Sequence, residues 1–170
     1  YATKYIKKKM KTWKFLVQEK PADIVLALRE GEKYPSLVAK EVGTTFAHAF
    51  NVLSKLERMG VVTSQERGRI RWVKLTERGE ELASLLERLK GMAEVMDAYV
   101  ELEEMYSKEV KNKLREEVDK EKVAKKLEEL RRRVNALAGR EDEVGKRAKK
   151  FLERVEEVER EAKGIVVGEG

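Results

Sequence analysis

The chain has 170 residues, 41% hydrophobic and 41% charged, with 38 Lys and Arg against 32 Asp and Glu, and it contains no cysteine. Disulfides, cysteine zinc sites and thiol chemistry are therefore excluded, and one compact globule would struggle to keep so many charges in water. No apolar run approaches the roughly 18 residues that span a bilayer and no signal-peptide pattern is present, so a soluble cytoplasmic protein is expected.

The positive charge is uneven. Residues 1–20 hold seven Lys against one acid, residues 21–90 twelve basic against ten acidic residues, and residues 91–170 nineteen against twenty-one. A phosphate-binding surface at the N-terminal end is the natural reading. Plentiful Lys, Arg and Glu with scarce Asn and Gln also matches a heat-adapted composition.

In chain order, residues 1–20 read as a basic arm with interspersed aromatics. The alternation around Trp13, Phe15 and Val17 suggests a short strand or extended segment. It is either an arm on the DNA backbone or a solvated tail anchored by Trp13 and Phe15. Pro21 suits the first turn of a helix running to about Glu30, and Gly31 ends it. Tyr34-Pro35 is an extended connector, after which Ser36 caps a second helix to about Val42.

Gly43 then turns the chain, and Thr44 or Thr45 caps a third helix to about Met59. Phe46, Ala49, Phe50, Val52, Leu53 and Leu56 form its apolar stripe, with Thr45, Ala47, His48, Asn51, Lys55 and Arg58 opposite. Gly60 stops that helix. A strand begins at Val61-Val62, turns at Arg67-Gly68-Arg69 and returns from Ile70 to Leu75, and Thr76 caps a fourth helix.

The run Leu56-Glu57-Arg58-Met59-Gly60-Val61-Val62, followed after a basic hairpin by Lys74-Leu75-Thr76-Glu77-Arg78-Gly79, resembles winged-helix transcription regulators of the MarR-like and ArsR-like kind. Thr45-Phe46-Ala47-His48 is similar to archaeal members. The resemblance covers residues 21–90 and implies a winged helix-turn-helix that binds double-stranded DNA.

Beyond Thr76, apolar residues from Leu82 to Val118 keep three- and four-residue spacing, which predicts one long helix with Gly91 as its weak point. Positions 123, 130, 137, 144, 151 and 158 are all apolar at a seven-residue repeat, and 127, 134, 148, 155 and 162 fill a second seam, with Glu141 the one violation. That pattern predicts a coiled coil. The break at Gly139 favours two antiparallel helices, about 120–138 and 142–163, over one rod, with residues from Gly164 frayed. The expected fold is thus mainly α with a small β-hairpin wing. It comprises a basic arm (1–20), a winged helix-turn-helix domain (21–90), a long-helix coiled-coil region (91–163) and a tail (164–170).

Groove reading needs short polar side chains near a helix N-terminus, and Thr44, Thr45, His48 and Asn51 supply them; Lys55 suits phosphate. The alternative is that they are merely the wet face of a core helix. Arg67, Arg69 and Arg71 suit phosphate clamping or a narrow minor groove. Trp72 reads as a core or interface residue. His48 is the only histidine, so no metal or cofactor is expected. No catalytic arrangement is present, so the chain is not expected to be an enzyme.

The apolar seams of the tail lead to the expectation of a homodimer through the C-terminal helices, with the coiled coil also open to a protein partner. A nucleoid-associated, dimeric, sequence-specific transcriptional regulator follows. The competing readings are a coiled-coil adaptor or chromosome-organising protein whose winged domain binds protein, and a non-specific DNA coat.

Overall fold

A computed structural model describes residues 12–114 and 116–164. The expectations for residues 1–11 and 165–170, most of the basic arm and the end of the tail, lie outside the described residues, as do the side chains of Thr12 and Trp13. The fold is mostly helical with a single antiparallel hairpin, and it divides into two compact units between Glu87 and Arg88.

The first unit opens with a correction. Thr12–Leu16 is a short helix, α1, and not an extended segment. Phe15 and Leu16 are adjacent and both buried, which a strand with alternating faces does not allow. Helix α2 (Glu19–Ala27) starts two residues before Pro21 and runs into a 3-10 turn, Leu28–Glu30. Helix α3 (Pro35–Glu41) has Pro35 in its first turn, where a missing N–H costs nothing. Tyr34, not Ser36, is its N-cap, because the residue before proline is already extended.

Gly43 takes a left-handed φ of 61°, the turn between α3 and α4 (Phe46–Arg58). Thr45 is the residue that caps α4, its Oγ1 accepting from the His48 N–H at 3.2 Å. Strand β1 (Val62–Arg67) pairs with β2 (Ile70–Leu75), in register from Val62 opposite Leu75 to Arg67 opposite Ile70. Lys33 adds a short third edge: its N–H donates to the Val73 carbonyl at 2.9 Å and the Val73 N–H returns to Lys33 O at 2.8 Å. Its buried ammonium bonds Glu30 at 2.8 Å and Glu41 at 2.5 Å. These bonds hold it firmly charged.

Ile24, Val25, Leu28, Val38, Leu53, Leu56 and Val73 fill the core of this unit. The order of helix, turn, helix and hairpin is a winged helix-turn-helix, followed by long helices.

Helix α5 (Glu77–Glu109) leaves the hairpin through a tight corner. Thr76 Oγ1 donates to the Gly60 carbonyl at 2.6 Å and accepts from the Gly79 N–H at 3.1 Å. A Cβ on Gly79 would lie 2.0 Å from the Val61 carbonyl oxygen, so only glycine fits. Gly91 does not interrupt α5. It is buried, and a Cβ there would approach Val144 Cγ1 to 3.0 Å, so its smallness serves packing.

The second unit is the rest of α5 with α6 (Lys120–Ala138) and α7 (Glu143–Lys163). The tail is therefore a helical hairpin and not one rod. Asp142 caps α7 by accepting from the Gly145 N–H and is gripped by the Arg140 guanidinium at 2.6 Å. Heptad residues Val123, Leu130, Val144, Phe151 and Val158 are all buried, as are Leu127, Val134, Ala148, Val155 and Ala162 of the second seam. Their partners come from the same chain, including Val95, Ala98 and Leu102 of α5. Glu141, the violation of the repeat, lies in the turn between α6 and α7. Ion pairs tie the helices together: Glu101 with Lys126 and Arg133, Arg131 with Glu159, and Arg154 with Glu103.

Candidate nucleic-acid interface

Helix α4 decides what the winged unit can do. Ala49, Val52, Leu53 and Leu56 anchor one side of it in the core. Thr45, Ala47, His48, Asn51 and Arg58 lie in water on the other. Two of the expected readers, His48 and Asn51, therefore share the exposed face near the helix start. Thr45 is exposed too, though its hydroxyl is committed to the cap. Thr44 is half-buried in the preceding turn, its N–H donating to Ala39 O at 2.9 Å. Lys55 is also half-buried, and its ammonium lies 5.3 Å from the centre of the Phe15 ring. That contact directs it toward α1.

Two members of the expected apolar stripe depart from it. Phe46 is 56% exposed and Phe50 37% exposed, with ring centres 5.9 Å apart. On a helical wheel they stand beside the buried row rather than within it, toward the hairpin.

The wing is a two-residue turn with positive φ at Gly68 (65°) and glycine first, which matches the right-handed twist of the strands. Of its three arginines only Arg69 makes no ion pair among the described residues. Arg67 donates to both carboxylate oxygens of Glu32, each at 2.6 Å, and its guanidinium lies 5.8 Å from the Trp72 ring. Arg67 holds the Glu32 carboxyl below its usual range. Arg71 pairs with Glu57 of α4 and covers Phe50 at 5.3 Å. The Ser64 hydroxyl also donates to Glu57, at 2.5 Å. Glu57 thus locks both strands to α4, a role that spacing alone does not reveal. Trp72 is half-buried and meets Tyr34 edge to face at 5.5 Å.

The candidate surface therefore comprises the exposed N-terminal half of α4, Arg58 at its end and Arg69 at the wing tip, with the Phe46 and Phe50 rings paired on α4. A helix start with short exposed polar side chains suits a base edge, and a guanidinium with no ion pair among the described residues suits a phosphate. Among the described residues no group of three or more His, Cys, Asp and Glu is placed to hold a metal ion, and no helix is long and apolar enough to cross a membrane.

No known protein family matches the chain, and no curated protein matches it. Among solved structures it is similar to a ZitR variant from Lactococcus lactis, at 20% identity and a TM-score of 0.43, over 51% of this chain and 60% of that one. It is similar to AF1382 from Archaeoglobus fulgidus at 20% identity and a TM-score of 0.40, over 49% of this chain and 93% of that one. It is also similar to the adhesin competence repressor of Streptococcus pyogenes at 17% identity and a TM-score of 0.46, over 72% of this chain and 80% of that one.

Proposed function

We propose that this chain is a dimeric regulator of transcription that binds double-stranded DNA by sequence. The observation that carries the reading is the exposed start of α4, with His48 and Asn51 on one face, in the same unit as Arg69, which makes no ion pair among the described residues. Helix α4 enters the major groove, Asn51 bonds an adenine edge, His48 donates to guanine or phosphate, and Arg69 reaches the backbone beside the groove. Binding needs neither cofactor nor metal. The protein works in the cytoplasm, on the nucleoid.

The dimer rests on a different surface from the one the heptads suggest. Among the described residues those seams are buried within the chain, so their side chains are already covered. Along α5, however, Leu89, Met96 and Val100 are 55%, 61% and 59% exposed, with Met92 and Tyr99 half-buried between them. Spacing of 89, 92, 96 and 99 is that of a coiled-coil seam. A second copy of α5 covers it, and a two-fold pair of winged units then reads a two-fold target.

The adaptor reading keeps one observation in its favour: exposed Phe46 and Phe50 also suit an apolar peptide. Selection from random duplex DNA at two salt concentrations separates the readings. Enrichment of an inverted repeat supports the dimeric reader. Salt-sensitive binding without enrichment means a DNA coat, and no binding at low salt means a protein partner.

A further inference from the structure

We infer that Phe46 and Phe50 recognise the C5-methyl groups of thymine, so that the target carries A·T pairs where α4 lies. This rests on the groove reading above and adds to it what the groove must contain. Neither ring belongs to the buried core of the winged unit. The core contributed by α4 is already complete in Ala49, Val52, Leu53 and Leu56, while Phe46 stays 56% and Phe50 37% exposed. They lie in the first half of the helix, the part nearest the bases in this kind of docking.

The neighbours of the rings favour DNA over an apolar peptide. Arg71 lies 5.3 Å over Phe50 and is itself held by Glu57, so the pair is bordered by a fixed cation. Asn51 is exposed on the same half of the same helix. In the major groove the one apolar feature is the thymine methyl, and adenine is the base that Asn matches bidentately. An exposed Asn and two exposed aromatic rings on one recognition helix therefore make a set for A·T pairs. G·C pairs offer the rings only polar edges, which they would desolvate without return.

The test uses the full chain and four short duplexes: alternating d(A-T), d(A-U), d(G-C) and d(G-5-methyl-C). Each pair differs only by the methyl. We expect loss of the thymine methyl to weaken binding about four-fold per methyl covered, the worth of one buried methylene. Methylation of cytosine should strengthen binding in the same sense. Phe50→Ala should erase both differences while the dependence on salt remains. Phe46→Ala, at a position with little packing to lose, does the same if Phe50→Ala proves unstable. Equal affinity for the d(A-T) and d(A-U) duplexes, with salt-dependent binding to both, overturns the methyl reading and leaves groove binding standing. No binding to any duplex at low salt overturns both and assigns the rings to a protein.

Discussion

Both carboxylate oxygens of Glu32 accept from the Arg67 guanidinium at 2.6 Å, while Arg69, two residues on, has no such partner among the described residues. Two arginines that look alike in a basic hairpin thus have different work. Arg67 fastens the wing to the segment before α3, and Arg69 is left for phosphate. Arg69→Ala should weaken binding to every duplex and lower the salt slope by about one. Arg67→Ala should leave the slope near that of the parent chain. Titrations at several salt concentrations check this, and equal slope losses would return Arg67 to the interface.

Asn51 lies on the exposed face of α4, and its side chain makes no hydrogen bond among the described residues. Asn51→Ala should cost about 1–3 kcal/mol on a selected duplex and almost nothing on a scrambled one. Competition binding on the two duplexes measures it. Equal losses on both would mean that Asn51 reads no base.

The glycines divide by what surrounds them. A Cβ on Gly79 would fall 2.0 Å from Val61 O, and one on Gly145 would fall 1.9 Å from Arg140 O, both rigid backbone. Gly79→Ala and Gly145→Ala should each destabilise the fold by at least about 1–3 kcal/mol. Gly139 has open space and a helical φ of −74°, so Gly139→Ala should be neutral or stabilising by up to about 1 kcal/mol. Urea denaturation ranks the three, and a reversed order would contradict the corner geometry.

Much of the fold was legible in the sequence because punctuation and period agreed. Gly43, Gly60 and Gly68 all take the left-handed φ that their turns need, and the break at Gly139 marks the end of α6. Periodicity says which face is apolar but not what covers it. The heptads of α6 and α7 therefore suggested a partner chain, where the turn after Ala138 folds them onto each other. Likewise a helical stripe did not separate the buried Leu53 from the exposed Phe50, about 60° apart on the wheel. Sequence alone assigns Lys55, Arg67 and Arg71 to phosphate contact because Phe15, Glu32 and Glu57, their partners, are distant in sequence and meet them only after folding.

The exposed row on α5 separates folding from association. Met96→Glu should leave helical content and melting intact and yield a monomer in sedimentation equilibrium, because it places a charge in the seam. Phe151→Ala, at a fully buried site, should instead cost about 3–5 kcal/mol of stability through the cavity it leaves. A parent chain that is monomeric at high micromolar concentration would remove α5 from the account.

Stability should fall in acid through the carboxylates of the second unit. Glu101 is held below its ordinary value of 4.5 by hydrogen bonds from Lys126 and then Arg133, and Glu159 is lowered by Lys163 and then Arg131. A depressed folded value means stability that is complete above the unfolded value and lost as pH falls through the folded one. Melting should therefore be flat from pH 7 to about 5 and decline below about 4.5, with Glu101→Gln giving a shallower decline. These pairs are partly exposed, so added salt should shrink the effect.

The central claim is that α4 and the wing tip meet DNA. Backbone amide chemical shifts, followed while a short duplex is titrated into the full chain, test it most directly. The account predicts perturbations gathered at residues 44–51, at Arg58 and around Gly68 and Arg69. Those amides staying silent, while α5 to α7 respond or nothing does, would contradict it.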